Sequence, residues 1–545
     1  RSGSTSADSP FVDLGITGRK AYYLQGNRTD TDLATSDLSI DISEDLTLSF
    51  ISGYVHQVQQ YALDFYDGRT GATLSNPIPP VQGFPHGGFT VVNDGKHEQF
   101  TQEIKLNGTL FNGLVDFVGG GYYINEKNHT DFADVFTLGS GVPLLLADRL
   151  LYNKTEAYAG YLQADFHVTE QLTLTAGVRY TDETKTVRVT DNRASCNDGT
   201  VEANCLVNEN LIAPSNKVIP TELETKKWTP RFAIDFKASD NVMLFASATR
   251  GFKSGGWNAR STAPNAFQPF GPETVWSYEA GVKSDLFDRR LRANITAFYV
   301  DVSDLQTPAG LVGPTGAITF ITRNFASLEN KGIEAEFTYM PTDRMSLYLN
   351  VGLQDAKYKI DRNAPDEDEY GIQSVAAQQR ACQEALAAGL IPSGPGAATC
   401  GAGIVNAKGE LSKPTRTPKV TLAVGASYEQ PIGQNGMTLV PSVNLSYRSS
   451  QEVAASNFSI YSGSITGANG SFPSNPFSGE FITGSYSGEA WFVNASLALN
   501  GPEQKWQLAL ECTNCFNETA GNTSLANGYY LDPPMRWMVR ARHNF

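Results

Sequence analysis

Six cysteines fall into three local pairs: Cys196 with Cys205, Cys382 with Cys400, and Cys512 with Cys515. An even, locally paired set reads as disulfides made in an oxidising compartment. The last pair is a CxxC. No second CxxC and no nearby His pair accompany it, so a small disulfide suits the spacing better than a zinc or redox site. Six histidines are scattered along the chain (His56, His86, His97, His129, His167 and His543), none at metal-ligand spacing, and no metal site is expected. Asp366-Glu367-Asp368-Glu369 offers carboxylate oxygens that suit Ca²⁺, but the glycine of an EF-hand turn is absent, and the segment reads as a solvated charge run. Arg179, Arg292, Arg448, Arg536, Arg540 and Arg542 share an alternating polar face, where they would grip an anionic ligand or pair with a carboxylate-bearing domain inside the lumen or with neighbouring strands. Arg250 and Lys253, with the aromatics Trp257, Phe267, Phe270, Tyr529 and Tyr530, are the candidate ligand-binding set, because aromatic faces and cations hold planar or anionic solutes. Phe84 and Phe472 are further loop aromatics. No nucleophile motif, phosphate loop or paired-carboxylate constellation stands out. No enzymatic role and no cofactor are expected.

What would position these residues is a set of long strands. The terminal segment shows the pattern best. Met535, Trp537, Val539, Ala541, His543 and Phe545 alternate with Arg536, Met538, Arg540, Arg542 and Asn544. One face is mostly apolar and the other basic, with the period of two that a strand imposes. The same alternation returns at 171–180, 291–299, 345–354 and 437–448. These stretches exceed the ~5–6 residues of an average globular strand and match the ~9–11 needed to cross a bilayer at a tilt. Connections alternate between short turns (43–45, 169–170, 239–240, 341–343, 432–435) and long loops (65–95, 129–150, 190–225, 254–271, 304–326, 359–413, 450–486, 517–532). Short turns at one end and long loops at the other mark an outer-membrane barrel. About seventeen strands are counted from Leu33 to Phe545.

Composition agrees. Of 545 residues, 18% are charged and 41% apolar, which suits neither a disordered chain nor a coiled coil. Fifty Gly, 23 Tyr and 29 Phe suit strands and turns. A net charge of −15 gives nucleic acid no basic field to bind. No run approaches the ~18 apolar residues of a membrane helix, but a barrel strand would not show one. Within the loop 359–413, Ser374 to Ala388, rich in Ala, Gln and Leu and followed by Gly389 and Pro392, reads as a short helix.

Several segments resemble one family, the TonB-dependent outer-membrane receptors of Gram-negative bacteria. Gln102-Glu103-Ile104-Lys105-Leu106 followed by Gly119-Gly120-Gly121-Tyr122-Tyr123 is similar to its early hairpin. Thr249-Arg250-Gly251-Phe252-Lys253-Ser254-Gly255-Gly256-Trp257-Asn258 resembles its mid-barrel stretch. Pro272-Glu273 with Tyr278-Glu279-Ala280-Gly281-Val282-Lys283-Ser284, then Arg290-Leu291-Arg292-Ala293-Asn294 with Phe298-Tyr299, and Asn330-Lys331-Gly332-Ile333-Glu334 continue it. Phe545 resembles the C-terminal barrel-assembly signal. Cys515 stands where the family usually has Leu.

The resemblance implies an all-β, antiparallel transmembrane barrel of 22 strands, embedded in outer-membrane lipid, with long extracellular loops and a periplasmic C-terminus. Residues 1–32 are then a partial N-terminal segment of an outer loop and 33–545 the barrel domain. A lumenal plug, a TonB-contacting segment and roughly five more strands are expected upstream. The implied function is TonB-driven capture and import of a scarce nutrient, by default an iron chelate, with TonB and its inner-membrane energy complex as partners. A passive diffusion channel and a structural or adhesive surface barrel are the alternatives.

Overall fold

The structure is a computed structural model. It describes residues 28–64, 89–137, 143–193, 196, 203–261, 263–312, 318–389, 403–406, 408–453, 459–461, 465–467, 470–472, 481–483, 486–525 and 528–544. One antiparallel sheet dominates. Its eighteen segments make seventeen strands, because one strand breaks at Glu429 and both halves pair with the same neighbour. In chain order these are β1 (Arg28–Ser43), β2 (Leu46–Asp64), β3 (Phe89–Leu110), β4 (Val115–Thr137), β5 (Pro143–His167) and β6 (Leu172–Asp191). Then come β7 (Glu222–Ser239), β8 (Val242–Lys253), β9 (Glu273–Leu286), β10 (Leu291–Val312), β11 (Ile318–Thr342) and β12 (Met345–Lys359). The broken strand β13 (Val420–Tyr428 with Gln430–Ile432), β14 (Met437–Arg448), β15 (Ala490–Asn500), β16 (Trp506–Thr513) and β17 (Arg536–His543) complete it. Each strand pairs with the next in sequence, from β1–β2 through β16–β17, so the wall is an up-and-down meander. Among the described residues β1 and β17 each have one partner, and every residue of both is exposed.

The short turns all lie at one end. In the first of them with Gly on both sides, Gly433 and Gly436 sit at φ 64° and 71°, a region glycine enters without a Cβ clash. The 168–171 turn is held by Thr169 Oγ1, which accepts from the backbone N–H groups of Gln171 (3.2 Å) and Leu172 (3.0 Å).

The alternation sorts side chains onto two faces. On the outer face Trp228, Phe232, Ile234 and Phe236 of β7 are all exposed, as are Tyr158, Leu162 and Phe166 of β5. Aromatic pairs join these rows from strand to strand: Tyr123–Tyr158 (5.0 Å between centroids), Tyr180–Trp228 (4.7 Å), Tyr278–Tyr299 (6.2 Å) and Tyr447–Trp491 (4.3 Å). Phe166, Phe236, Tyr339 and Tyr428 form a second aromatic row toward the short turns. From Trp228 to Phe236 is eight positions, or about 26 Å of strand at ~3.3 Å per residue. A tilt of roughly 40° lowers that to about 20 Å, near the ~25 Å apolar band of a membrane barrel. Burying such a surface in lipid resolves what is otherwise a continuous exposed apolar belt.

Three expectations need amendment. The loops expected at 129–150 and 304–326 are mostly strand, because β4 runs to Thr137, β5 starts at Pro143, β10 reaches Val312 and β11 starts at Ile318. Past the girdle the outer face no longer meets lipid and the inner face is covered by loops over residues such as Phe132 and Leu151, so the lipid-against-water alternation fades while the pairing continues. The first strand begins at Arg28, ahead of the expected boundary at Leu33. The last is ordered as Arg536–His543, and Phe545 lies outside the described residues.

Candidate functional site

At the long-loop end, segments far apart in sequence close over the inner face. Leu206, Leu211, Ala213 and Ile219 from the β6–β7 loop pack on Phe132, Leu151, Val187 and Val189 of the strand extensions. Phe267, from the β8–β9 loop, is fully buried among them, with Trp257, Ala259 and Tyr370 against the cluster. The Cys196–Cys205 disulfide, with Cα atoms 5.7 Å apart, closes the root of the first loop. Both of its cysteines lie near Asp191, but their sulfurs are committed to each other. Asp191 instead accepts from the backbone N–H of Leu206 (2.8 Å) and from Arg193.

Beside this core is a charged centre that the sequence reading missed. Arg149 is wholly buried. Its Nη2 donates to Asp134 Oδ2 (3.1 Å), its Nε donates to the carbonyl of Ala259 (3.2 Å), and its guanidinium lies 3.9 Å from the centroid of Phe132. Arg260 donates to the other oxygen of Asp134 (2.8 Å) and keeps 57% of its side chain exposed. Arg149 sits nine positions beyond the Tyr158 girdle on β5, outside the apolar band. Burial pulls its pKa down to about 10, against the opposing pull of Asp134, so it remains a cation at neutral pH. Two arginines on one carboxylate thus staple the β8–β9 loop to the β4–β5 hairpin.

Asn258 makes the second staple. Its amide nitrogen donates to the carbonyls of Gln268 (2.9 Å) and Thr322 (3.0 Å), and its oxygen accepts from the Thr322 N–H (2.5 Å). Lys185 on β6 donates to Ser254 Oγ (2.6 Å) and to the Gly255 carbonyl (3.0 Å). Gln306 donates to the carbonyls of Ser254 (2.8 Å) and Gly271 (2.9 Å). These bonds satisfy the carbonyls of Ser254, Gly255, Gln268, Gly271 and Thr322 at the loop root, while Arg149 Nη1, Ser261 Oγ and Gln268 Oε1 are buried without a hydrogen-bond partner among the described residues.

The candidate ligand set divides. Trp257 is half-buried, and its indole N–H donates to the Pro220 carbonyl (2.6 Å), tying the two loops together. Phe270 is half-buried in a two-residue ribbon, Pro269–Phe270 against Gly256–Trp257. Phe267 offers no surface to a solute, since it is core. Lys253 keeps 61% of its side chain exposed and stands 4.0 Å from Glu273. Arg250 pairs in register with Trp276, which stacks on Tyr278, so its side chain lies on the outer row of the wall. Tyr529 and Tyr530 lie in a short strand, Gly528–Leu531, and their side chains are outside the described residues.

The helix forms where expected, as α1 (Val375–Ala387), with Ser374 Oγ accepting from the Ala377 N–H (3.2 Å). Cys382 is disulfide-bonded and fully buried in a second core with Val375, Ala385, Ile404 and Val405. Its expected partner Cys400 lies outside the described residues. Cys512 and Cys515 are joined. The acidic run is exposed, and three of its four carboxylates are ion-paired. Asp366 pairs with Arg380, Asp368 with Arg323, and Glu369 with Lys217, while Asp368 also caps the backbone of Tyr370 and Ile372. The inner arginines pair with their neighbours: Arg540 with Glu511 (2.5 Å), Arg292 with Asp285 (2.8 Å) and Arg448 with Asp532 (2.9 Å). Arg179 lies over the rings of Tyr122 and Tyr161. The arrangement is that of a shaped, cross-braced mouth; among the described residues no cluster places a nucleophile against a base.

Comparison with known proteins fits this geometry. A stretch of 135 residues is 30% identical to the metal-pseudopaline receptor CntO of Pseudomonas aeruginosa, covering 25% of this chain and 18% of that receptor. A longer stretch of 259 residues is 22% identical to the pesticin receptor of Yersinia enterocolitica, covering 47% of this chain and 34% of that receptor. The chain therefore spans about a third or less of these relatives' length. In shape it is similar to the ferric yersiniabactin uptake receptor FyuA of Yersinia pestis (TM-score 0.63, 13% identity, 95% of this chain and 61% of that one). It is also similar to the closed form of the ferric-catecholate import receptor Fiu of E. coli K12 (TM-score 0.61, 14% identity, 100% and 69%). A family model described as TonB dependent receptor-like, beta-barrel, matches residues 2–515. The chain belongs to the TonB-dependent receptor family, of which it carries the outer-membrane β-barrel.

Proposed function

We propose that this chain is the barrel of an energised receptor that imports a scarce solute of the iron–siderophore or metal–chelate type. The observation that carries the reading is the braced mouth: two long loops folded onto the inner face through Arg149, Asp134, Arg260 and Asn258. A pore needs no such construction, whereas selective capture needs loops held in shape. The names of three of the four similar receptors, which concern a metal or ferric chelate, support the solute class.

The long loops face outward and the short turns face the periplasm, as in other barrels of this kind. Among the described residues β1 and β17 run in the same direction, since the seventeen strands from β1 to β17 alternate. Coupling to TonB through a lumenal plug belongs to the same reading.

The test is transport of a ⁵⁵Fe chelate by the full-length receptor in a host stripped of its own ferric receptors. Uptake that requires both TonB and the proton gradient is expected. Uptake that survives loss of TonB would establish a passive channel instead, and no uptake of any of a panel of ferric and other metal chelates would remove the solute class.

A further inference from the structure

We propose that His97 is a direct ligand for the metal of an incoming chelate, so that the mouth selects chelates with an open coordination position. The inference deepens the import reading above and rests on it.

Spacing along the chain pairs no histidines as metal ligands, but the sheet register makes another arrangement. One row crosses six strands. Thr31, Gln57, His97, Asn128, Asn153 and Val187 stand opposite one another in turn from β1 to β6. Val187 belongs to the core that closes over the inner face, so the row faces inward. His97 lies five positions from Gln102, which stands opposite Tyr123 of the girdle. That is about 16 Å of strand toward the long loops, at ~3.3 Å per residue.

The imidazole is held in one orientation. Asn128 Nδ2 donates to Glu126 Oε1 (2.6 Å), which leaves Asn128 Oδ1 facing His97 Nδ1 (2.8 Å). Nδ1 therefore carries the proton and donates it, and the Glu126 carboxylate stands behind at 3.7 Å. The lone pair is left on Nε2. Among the described residues Nε2 has no hydrogen-bond partner, and 28% of the His97 side chain is exposed. A histidine whose other ring N–H is held by a fixed oxygen is oriented as metal-ligating histidines are. Imidazole suits Zn, Cu, Fe and Ni. Charge does not oppose a metal here. Around this row the described inner-face cations of β3–β6 are Lys185 and Arg149. Lys185 is turned to Ser254, the Gly255 carbonyl and Glu183, and Arg149 to Asp134.

His56, His129 and His167 lack this combination. His167 has both ring nitrogens engaged, by Thr173 (3.1 Å) and Asp116 (2.8 Å). His129 stacks on Tyr152 on the outer face, with Nε2 buried. His56 stands opposite Glu98, also on the outer face.

The full-length receptor, purified in detergent without a histidine tag, would be titrated with two copper chelates. Cu²⁺–nitrilotriacetate leaves coordination positions open, and Cu²⁺–EDTA closes them. Preference for the open chelate is expected, with imidazole-nitrogen couplings in pulsed EPR. His97→Ala should weaken its binding about tenfold or more and remove those couplings. Asn128→Ala, which frees the ring, should weaken binding about tenfold and keep the couplings. His56→Ala should change neither. Heat-modifiable migration on gels confirms that each variant is folded. Equal affinity for the two chelates, unchanged binding in His97→Ala, or an equal loss in His56→Ala overturns the proposal. Binding is read without TonB, so its failure would leave TonB-dependent uptake standing as a separate result.

Discussion

Replacing Arg149 by methionine removes the cation at the centre of the loop brace while keeping much of its volume. Breaking a buried ion pair by deleting one partner costs about 3–5 kcal/mol, because the remaining charge loses its compensation. Here the remaining charge is Asp134, which keeps the half-exposed Arg260 at 2.8 Å. The lower end, about 3 kcal/mol, is therefore expected, including the lost hydrogen bond to the Ala259 carbonyl. At ~1.4 kcal/mol per tenfold, the open population of the β8–β9 loop should rise on the order of 150-fold. The strands below, held by their own ladders, should not respond. Hydrogen exchange followed by mass spectrometry reads this directly, with peptides covering 256–270 and 203–221 compared with peptides from the strand centres. Asp134→Asn added to Arg149→Met should restore part of the protection, since Arg260 can turn to solvent. Unchanged exchange in 256–270, or loss spread evenly through the barrel, would refute the assignment of Arg149 as the brace.

Two further outcomes follow from the same structure. Cys196→Ser with Cys205→Ser should loosen the β6–β7 loop by about 2.5 kcal/mol, the closure entropy of a loop this short, and should make 203–221 protease-sensitive while the barrel stays intact. Equal resistance with and without the disulfide would show that the hydrophobic core alone holds the loop. Gly425→Val should cost about 1–3 kcal/mol through overpacking, because the Tyr348 ring would lie 2.1 Å from an added Cβ. Urea unfolding in detergent micelles measures it, and a midpoint equal to wild type would mean that Tyr348 swings away freely.

The wall was legible in the sequence because its two faces meet different solvents. Trp537, Val539 and Ala541 against Arg536, Arg540 and Arg542 state both the strand and its register. The extended hairpins of β4–β5 and β10–β11 were not legible, because beyond the girdle the outer face leaves the lipid while loops distant in sequence bury inner residues such as Phe132, Arg149 and Leu151, and the contrast of lipid against water disappears. The mouth was the least readable part. Arg149 meets Asp134 at a separation of 15 residues, but Arg260 reaches the same carboxylate across 126. Nothing local distinguishes Phe267, which is core, from Phe270, which is half-buried. Arg250 is a different case. Leu244, Ala246 and Ala248 already place the even positions of β8 on the outer face, and that alternation outweighs the motif in which Arg250 sits.

The paired extension of β4 and β5 has a consequence for how the molecule is seen from outside. Fourteen positions separate Tyr123 in the girdle from Thr137 at the end of β4, about 46 Å of strand at ~3.3 Å per residue. In the orientation proposed above, an antibody or phage fibre would meet the edge of a continuous sheet, because β3 flanks β4 as far as Phe136 and β6 flanks β5 as far as Arg149. Its inner side is covered over Phe132, Arg149 and Leu151, so only the outer side offers an epitope. A substitution there would escape such a binder and leave the buried brace beneath it untouched.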